Sequence, residues 1–172
     1  LTSQGTHVVD AAVHYPVVSM LAGEPPSGNK APNYNRYIPV SKAIFDAGID
    51  NDIVDDDSIL EGAVQDGALH MGGNAYRVLV FGPETTVRRS VLKQAQQLVK
   101  SGGVVLFYER LPMDSTEAGR DDPDMAAILK QLLGAPPAAR PKKETAKKLN
   151  GGGFCAFVRT KRDRLASHIT EH

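Results

Sequence analysis

The sequence YRVLVFGPETTVRRSVLKQAQQLVKSGGVVLFYERLP, residues 76–112, predicts one complete strand, helix and strand. Residues 77–81 and 104–108 are short apolar runs rich in Val and Leu, as in buried strands. Between them, apolar residues recur at helical spacing: Val87, Val91, Leu92, Ala95, Leu98 and Val99. Two strands joined by such a helix are almost always parallel. The stretch therefore predicts an α/β fold, with ligands expected at the carboxyl ends of the strands.

Both ends of this helix carry recognisable signals. Thr85 or Thr86 can cap the first turn by accepting a hydrogen bond from a backbone amide. Gly102 and Gly103 end the helix, because glycine adopts the left-handed conformation of a helix exit without steric cost.

The overall composition fits one domain, residues 1–172, with a sizeable core, since 41% of its 172 residues are hydrophobic. Lys plus Arg and Asp plus Glu number 20 each, so no net charge attracts nucleic acid or a membrane. The charges are nevertheless separated: residues 46–66 hold eight acidic and no basic residues, and residues 140–164 hold nine basic and two acidic ones. No apolar run approaches the roughly 18–20 residues that cross a bilayer. Because the chain begins at Leu1, we expect it to be a fragment of a larger multidomain protein.

The single cysteine, Cys155, excludes an internal disulfide and a multi-cysteine zinc site, and it leaves the redox compartment undetermined. It lies within residues 154–158, an apolar run that predicts a strand at the edge of the sheet. No histidine lies nearby in sequence to activate the thiol. We therefore predict a small buried side chain rather than a nucleophile.

Acidic residues follow the second predicted strand. Residues 7–13 predict a first strand that ends at Tyr15 and Pro16, and residues 49–54 predict a second that runs into Asp55, Asp56 and Asp57. Three adjacent aspartates could bind Ca²⁺ or Mg²⁺. However, neighbouring residues of an extended segment point in alternate directions, and the spacing matches no calcium loop. The sequence favours a solvated strand end that caps the next turn, with no metal and no cofactor.

The remaining segments are less distinctive. Residues 23–35 predict a long loop, since they contain three prolines, two glycines and three asparagines. Apolar residues at helical spacing predict two more helices, with Val40, Ala43, Ile44 and Ala47 in one and Met125, Ala126, Ile128, Leu129, Leu132 and Leu133 in the other. Four segments remain: residues 63–74, either a short helix or an extended arm; residues 112–123, a polar loop; residues 142–149, basic and weakly helical; and residues from 159, a frayed helix or a linker.

Three short motifs do not support a site. Residues 151–153, three glycines, predict a turn, because no Lys-Ser or Lys-Thr follows them. The basic cluster of residues 140–148 lacks the interleaved aromatics that stack on bases, so no nucleic-acid partner is expected. The sequence HITEH, residues 168–172, matches an inverted zinc protease motif. It has little apolar support and no evident further ligand, which argues against zinc catalysis.

Four motifs carry a family resemblance: VHYP (residues 13–16), AGID with IVD (47–50 and 53–55), YRVLV (76–80) and SGGVV (101–105). Together they resemble the class I glutamine amidotransferase-like superfamily, a flavodoxin-like three-layer sandwich with a mainly parallel central sheet. More narrowly, residues 8–112 are similar to the non-catalytic domain of that fold in barrel glycosidases, such as the β-galactosidase trimerisation domain. A region of the family 106 α-L-rhamnosidases is also similar.

Catalytic members of the superfamily carry a nucleophilic cysteine on a strained turn between a strand and a helix. The matching turn here, residues 107–112, contains no Cys, Ser or Thr. The resemblance therefore implies a non-catalytic accessory domain of a carbohydrate-active enzyme, with a structural, interdomain or oligomerisation role. Its partners would be other domains of the parent enzyme or a second subunit, and a secreted or periplasmic parent is one expectation.

Two alternatives remain open. One is a small-ligand-binding module that uses the strand carboxyl ends, with these candidate contacts: Tyr15, Asp55, Pro83, Glu84 and Glu109. The other is a hydrolase with an unrecognised site. If Glu109 belonged to such a site, it would act as a general base or as a glycosidase nucleophile, and the latter requires a second carboxyl about 5–10 Å away. Asp55 and Glu84 are the candidates for that carboxyl. We favour a simpler role in which Glu109 pairs with Arg110 or Arg88, or caps a backbone amide.

Overall fold

The structure is a computed structural model that describes residues 9–22, 37–134, 137–159 and 162–171, with side chains from residue 165 in the last range. Its strands are β1 (Ala11–His14), β2 (Asn51–Val54), β3 (Ala63–Gln65), β4 (Ala68–Met71), β5 (Asn74–Tyr76), β6 (Val78–Phe81), β7 (Thr86–Val87), β8 (Val104–Tyr108), β9 (Asp114–Ser115), β10 (Thr145–Lys148) and β11 (Phe154–Val158). Its helices are α1 (Val17–Leu21), α2 (Tyr37–Asp46), α3 (Asp56–Glu61), α4 (Arg89–Lys100), α5 (Pro123–Leu133) and α6 (Arg162–Thr170). Within these ranges, no helix is long and apolar enough to span a membrane. The predicted loop at residues 23–35 lies outside the described residues.

A six-stranded sheet with the order β10-β11-β8-β6-β1-β2 forms the centre of the fold. Five of its strands are parallel to their neighbours, and only β10, at one edge, is antiparallel. The predicted α/β class and mainly parallel sheet are therefore confirmed. The chain goes from β1 to β2 on one side, and then places β6, β8 and β11 on the other. The strand order thus reverses between β1 and β6, which makes that gap the switch point of the sheet.

The predicted central unit is present as β6, α4 and β8. The two strands are parallel and in register from Val78 opposite Val104 to Phe81 opposite Phe107. Five of the predicted apolar residues of α4 are buried: Val91, Leu92, Ala95, Leu98 and Val99. Gly102 adopts a φ of 111° just beyond the helix, as expected for a glycine exit.

The predicted cap of α4 is wrong. Thr86 belongs to the short strand β7, and the N-cap residue is Arg88, whose side chain makes no capping bond. The carboxylate of Glu117 instead accepts a hydrogen bond from the backbone N–H of Arg89 at 3.1 Å. A residue from a loop distant in sequence thus provides the acceptor for a free backbone N–H at the start of α4. Local sequence does not reveal such a contact.

Helices cover both faces of the main sheet. Alternate residues of a strand point to opposite faces, and here both faces are buried, which explains the nearly continuous apolar strand sequences. One face packs against α3, α4 and α5 through strand residues that include Leu79, Phe81, Val105 and Phe107. The other packs against α2 and α6 through residues that include Val13, Val80, Leu106 and Val158.

The ambiguous segment 63–74 is an extended arm rather than a helix. β3, β4 and β5 form a separate antiparallel sheet. Asp66 and Gly67 make the turn between β3 and β4, both with positive φ. The polar loop predicted at residues 112–123 contains the short strand β9, which pairs with β7.

The prediction for residues 142–149 is wrong, since they include strand β10 instead of a weak helix. β10 pairs with β11 along its length, so β11 does not lie at the edge of the sheet as predicted. Lys147 is half-buried, and its Nζ donates to the carbonyl of Gln131 near the end of α5. Lysines on an edge strand oppose pairing with other chains, which suits β10 to this position.

The other helix predictions are largely confirmed. Val40 and Ile44 of α2 are buried, whereas Ala43 is half-buried and Ala47 is exposed. The apolar residues of α5 face the core, and Gly134 ends that helix with a φ of 74°. The tail that was predicted as a frayed helix or a linker forms α6 over most of its length, with Leu165 and Ile169 buried.

Candidate functional site

Three chain segments meet at the switch point between β1 and β6. His14 is the last residue of β1, Asp56 is the first residue of α3 just after β2, and Glu84 follows β6. The carboxyl ends of parallel strands share one edge of a sheet, so these segments converge. Strand alternation directs His14 to the face covered by α3 and α4, where its ring lies 5.1 Å from that of Phe81.

The three side chains form a buried triad, Glu84–His14–Asp56. Nδ1 of His14 lies 2.9 and 2.8 Å from the two carboxylate oxygens of Glu84, and Nε2 lies 2.5 Å from Oδ1 of Asp56. The exposed fractions are 0% for His14, 4% for Asp56 and 1% for Glu84. Because a carboxylate only accepts hydrogen bonds, an imidazolium that donates from both nitrogens accounts for this geometry.

The electrostatics agree with a protonated histidine. Burial lowers the pKa of His14, but the charge of Glu84 and the hydrogen bonds to Asp56 and Glu84 outweigh burial and raise this pKa to about 10. Burial raises the pKa of Glu84, and the positive charge of His14 opposes that rise. Arg88 adds a second positive charge, with its Nε 3.2 Å from Oδ2 of Asp56 in an ion pair that lacks hydrogen-bond geometry.

The three consecutive aspartates have three different roles. Oδ1 of Asp55 accepts from the backbone N–H of Ser58 at 2.9 Å and caps α3, as the sequence suggested. The next residue, Asp56, thereby points inward to His14. Asp57 is exposed and lies 2.6 Å from Nη1 of Arg88. Asp56 and Asp57 share Arg88, whereas Asp55 caps α3, so the three carboxylates do not converge on one centre.

The candidate ligand contacts all lie at the carboxyl edge, but only Glu84 enters the triad. Tyr15 is half-buried and packs edge-on against Tyr37, with ring centroids 4.9 Å apart. Pro83 is buried, and Asp55 is exposed. The hydrogen bond from Ser58, followed by weaker effects that include the His14 charge, lowers the pKa of Asp55.

Glu109 lies at the turn that follows β8. Its φ is 60°, an uncommon value for a residue other than glycine, and its backbone N–H donates to the carbonyl of Val158 at 2.8 Å. The side chain is exposed. Arg88, one of the predicted partners of Glu109, instead pairs with Asp56 and Asp57.

Sequence reasoning missed His14 and Asp56 as site residues. The available signal was a histidine ending an apolar strand, together with an acidic run after the next strand. It also missed Ser19, whose buried Oγ accepts from the backbone N–H groups of Thr85 and Thr86 at 3.1 and 2.9 Å. That hydroxyl joins α1 to the segment after β6.

Cys155 and the HITEH motif, two other features of the sequence analysis, lie outside the triad. Cys155 is buried in the middle of β11, and burial raises the pKa of its thiol, so the prediction of a small buried side chain is confirmed. His168 of the HITEH motif packs its ring 5.3 Å from that of Phe154. The last residue of that motif, His172, lies outside the described residues.

No protein-family model matches the chain, and no curated protein matches its sequence. Solved structures do match. Gan42B, a GH42 β-galactosidase from G. stearothermophilus, aligns with a TM-score of 0.68 and 9% identity over 96% of this chain and 30% of its own. The β-galactosidase of Halorubrum lacusprofundi aligns with a TM-score of 0.64 and 16% identity over 99% of this chain and 31% of its own.

A rhamnosidase from Novosphingobium sp. PP1Y aligns with a TM-score of 0.56 and 14% identity, over 98% of this chain and 14% of its own. The chain thus spans less than a third of the length of these three proteins. At such low identity the likeness concerns the fold. The chain therefore shares the fold of a domain-sized segment found in GH42 β-galactosidases and in a rhamnosidase.

Proposed function

We propose that the chain is a non-catalytic accessory domain of a carbohydrate-active enzyme, with the α-L-rhamnosidases among the candidate parents. The observation that carries the proposal is the filled switch point. Ligands of parallel α/β sheets bind in the crevice outside the strand carboxyl ends at this point. Here the buried triad Glu84–His14–Asp56 occupies that position.

The turn after β8 supports the same role. Glu109 has a φ of 60°, a positive value such as a strained nucleophile turn requires, but residues 107–112 include no Cys, Ser or Thr. A fold can keep this backbone conformation at the turn when the nucleophile is absent. This combination fits a scaffold better than an acyl-transfer enzyme.

The strand order supports a finer assignment of the fold. Counted along the chain, the parallel strands β2, β1, β6, β8 and β11 have the order 2-1-3-4-5, which is the flavodoxin-like order. With helices on both faces, this favours a flavodoxin-like three-layer sandwich. It is also the architecture that the class I amidotransferase-like resemblance implies.

The lengths of the matched proteins support a larger parent enzyme. Two of them are described as β-galactosidases and one as a rhamnosidase, and the matched segment is 14–31% of each chain. We infer that this chain likewise packs against another domain of its parent or against a second subunit.

An exposed apolar surface near the edge strand β2 fits such packing. Ile38 and Phe45 of α2 are seven residues apart and so lie on one side of the helix, with exposed fractions of 48% and 66%. Ile53 of β2 is 49% exposed. It pairs with Val13, whose side chain faces α2, so Ile53 points to the same side of the sheet.

Backbone hydrogen exchange can test this proposal. The reading frame that encodes the chain should also encode a barrel domain, and the full product and the 172-residue chain would be compared. Amides of α2 and β2 should exchange more slowly in the full product, and Phe45→Ser should remove part of that protection. Strand β6 serves as the internal reference, because it is buried in the isolated chain. A frame without a further domain, or equal exchange of α2 in both proteins, would contradict the proposal.

A further inference from the structure

A polar pocket lies at the carboxyl ends of β6 and β8, next along the chain from the triad residue Glu84. Its volume is about 330 Å³, toward the lower end of the range for small-molecule sites. Three segments form most of its wall, at residues 85–86, 110–114 and 120–121, and Ala22 and Ala139 complete it. The triad takes no part in this wall.

Hydrogen bonds between these segments hold the pocket open in a defined shape. The backbone N–H of Asp114 donates to the carbonyl of Thr85 at 3.0 Å, and that of Leu111 donates to the carbonyl of Ala139 at 2.9 Å. The N–H of Asp121 donates to Oδ1 of Asp114 at 2.9 Å. The walls are therefore largely preformed, which lowers the ordering cost of binding.

The buried carboxylate of Asp122 fixes the position of the neighbouring lining residues 120–121. Asp122 accepts from Oγ of Ser115 at 2.5 Å and from Nη2 of Arg89 at 2.8 Å. Burial alone would raise the pKa of Asp122, but the bonds from Ser115 and Arg89 lower it to about 2. The carboxylate therefore stays ionised at neutral pH, and the anchor persists.

The lining groups indicate the chemistry of the ligand. Arg110 and Arg120 supply donors, and Asp114 and Asp121 supply acceptors. The hydroxyls of Thr85 and Thr86 bond to each other at 3.2 Å, which leaves one hydroxyl proton to donate. Leu111 and Met113 add apolar surface. The charges of the two arginines and the two aspartates sum to zero. An anionic ligand would be repelled by the two carboxylates, and a cationic ligand by the two guanidinium groups. A neutral molecule with many hydroxyls can use both kinds of group.

We propose that this pocket binds a neutral polyhydroxylated ligand of the size of one sugar ring. The arginines donate to ligand oxygens, the aspartates accept from ligand hydroxyls, and Met113 contacts the CH groups of the ring. This binding site is separate from the triad, and the proposal does not depend on which enzyme is the parent.

The test is a titration of the isotopically labelled 172-residue chain with single sugars, followed by NMR of its amides. The probes are glucose, galactose and rhamnose, with glucuronate and glucosamine as charged counterparts. At least one neutral sugar should shift the signals of residues 110–121 in a saturable manner, and the charged sugars should bind more weakly. Arg120→Gln and Asp121→Asn should each weaken binding about tenfold, the effect of losing a hydrogen bond to a charged group.

Asp66→Asn is the matched control. Asp66 is exposed, has a φ of 50° close to the 52° of Asp121, and lies toward the opposite end of β8, where Gly67 packs against Gly102. Asparagine tolerates this backbone conformation, so both variants should fold. Tighter binding of a charged sugar, equal weakening by Asp66→Asn, or no saturable shift with any neutral sugar would overturn the proposal.

Discussion

His14 and Glu84 lie 70 positions apart in the sequence, yet Nδ1 of the imidazole is 2.8 Å from a carboxylate oxygen, with both side chains buried. This contact joins the end of β1 to the segment after β6, at the point where the strand order reverses. Asp56 brings in the segment after β2. The charges of the triad therefore hold together the same segments that surround the ligand in ligand-binding parallel α/β sheets.

Removing the histidine should be costly. His14→Leu leaves two buried carboxylates without their shared cation, so we expect the free energy of unfolding to fall by about 3–5 kcal/mol in urea titrations. Adding Glu84→Gln should recover part of that loss. Asp57→Asn, which removes an exposed partner of Arg88, should cost less than about 1 kcal/mol. A His14→Leu cost as small as that of Asp57→Asn would contradict the triad.

The triad also predicts a pH dependence. Because the folded pKa of His14 is raised to about 10 from 6.5, the folded state binds the proton more tightly than the unfolded state. The stabilisation is fully present below pH 6.5 and is lost as the pH rises through 10. In NMR titrations the His14 ring should remain protonated from pH 6 to 8, whereas deprotonation near pH 6.5 would show that the carboxylates do not hold the proton.

Gly153 tests the packing of β11 against α4. A Cβ atom added there would lie 1.7 Å from the backbone carbonyl oxygen of Val99, so the backbone would have to move. We expect Gly153→Ala to reduce the free energy of unfolding by about 3 kcal/mol or more. Gly82→Ala is the control, since its nearest contact would be an ordinary 3.8 Å. Equal stability of the two variants would mean that α4 and β11 are not packed in this way.

Cys155 should behave as a buried apolar group. Cys155→Ser places a hydroxyl in the core and should cost about 1–3 kcal/mol, whereas Cys155→Ala should cost less. Thermal and urea unfolding of both variants provide the measurement. Rapid modification of the native thiol by a soluble reagent would contradict its burial.

The sequence predicts the parts of the fold that local patterns specify. Periodicity and flanking glycines locate β6, α4 and β8, because the apolar residues that form the pattern are buried in the core. The sequence does not reveal β10, because this segment is short, polar and basic. It becomes a strand only because it pairs with β11. Such pairing depends on residues distant in sequence.

The candidate site was predicted less completely for the same reason. The acidic residues after β2 and β6 were recognised as carboxyl-edge residues, and the capping role of Asp55 is confirmed. Nothing in the local sequence indicates that His14 would bond both Glu84 and Asp56, because those contacts arise only when three strands are adjacent. The acidic side chain of Glu109 was identified, but the positive φ of its backbone becomes visible only in the structure.

Turnover by the purified 172-residue chain tests most directly whether this domain is catalytic. The substrates are aryl β-galactosides, aryl α-L-rhamnosides and glutamine, and the wild type is compared with Glu109→Gln prepared in the same way. We predict that both proteins match the buffer blank for every substrate. Turnover by the wild type that falls about a thousandfold in a still-folded Glu109→Gln variant would place acid–base or nucleophilic chemistry in this domain and contradict the accessory role.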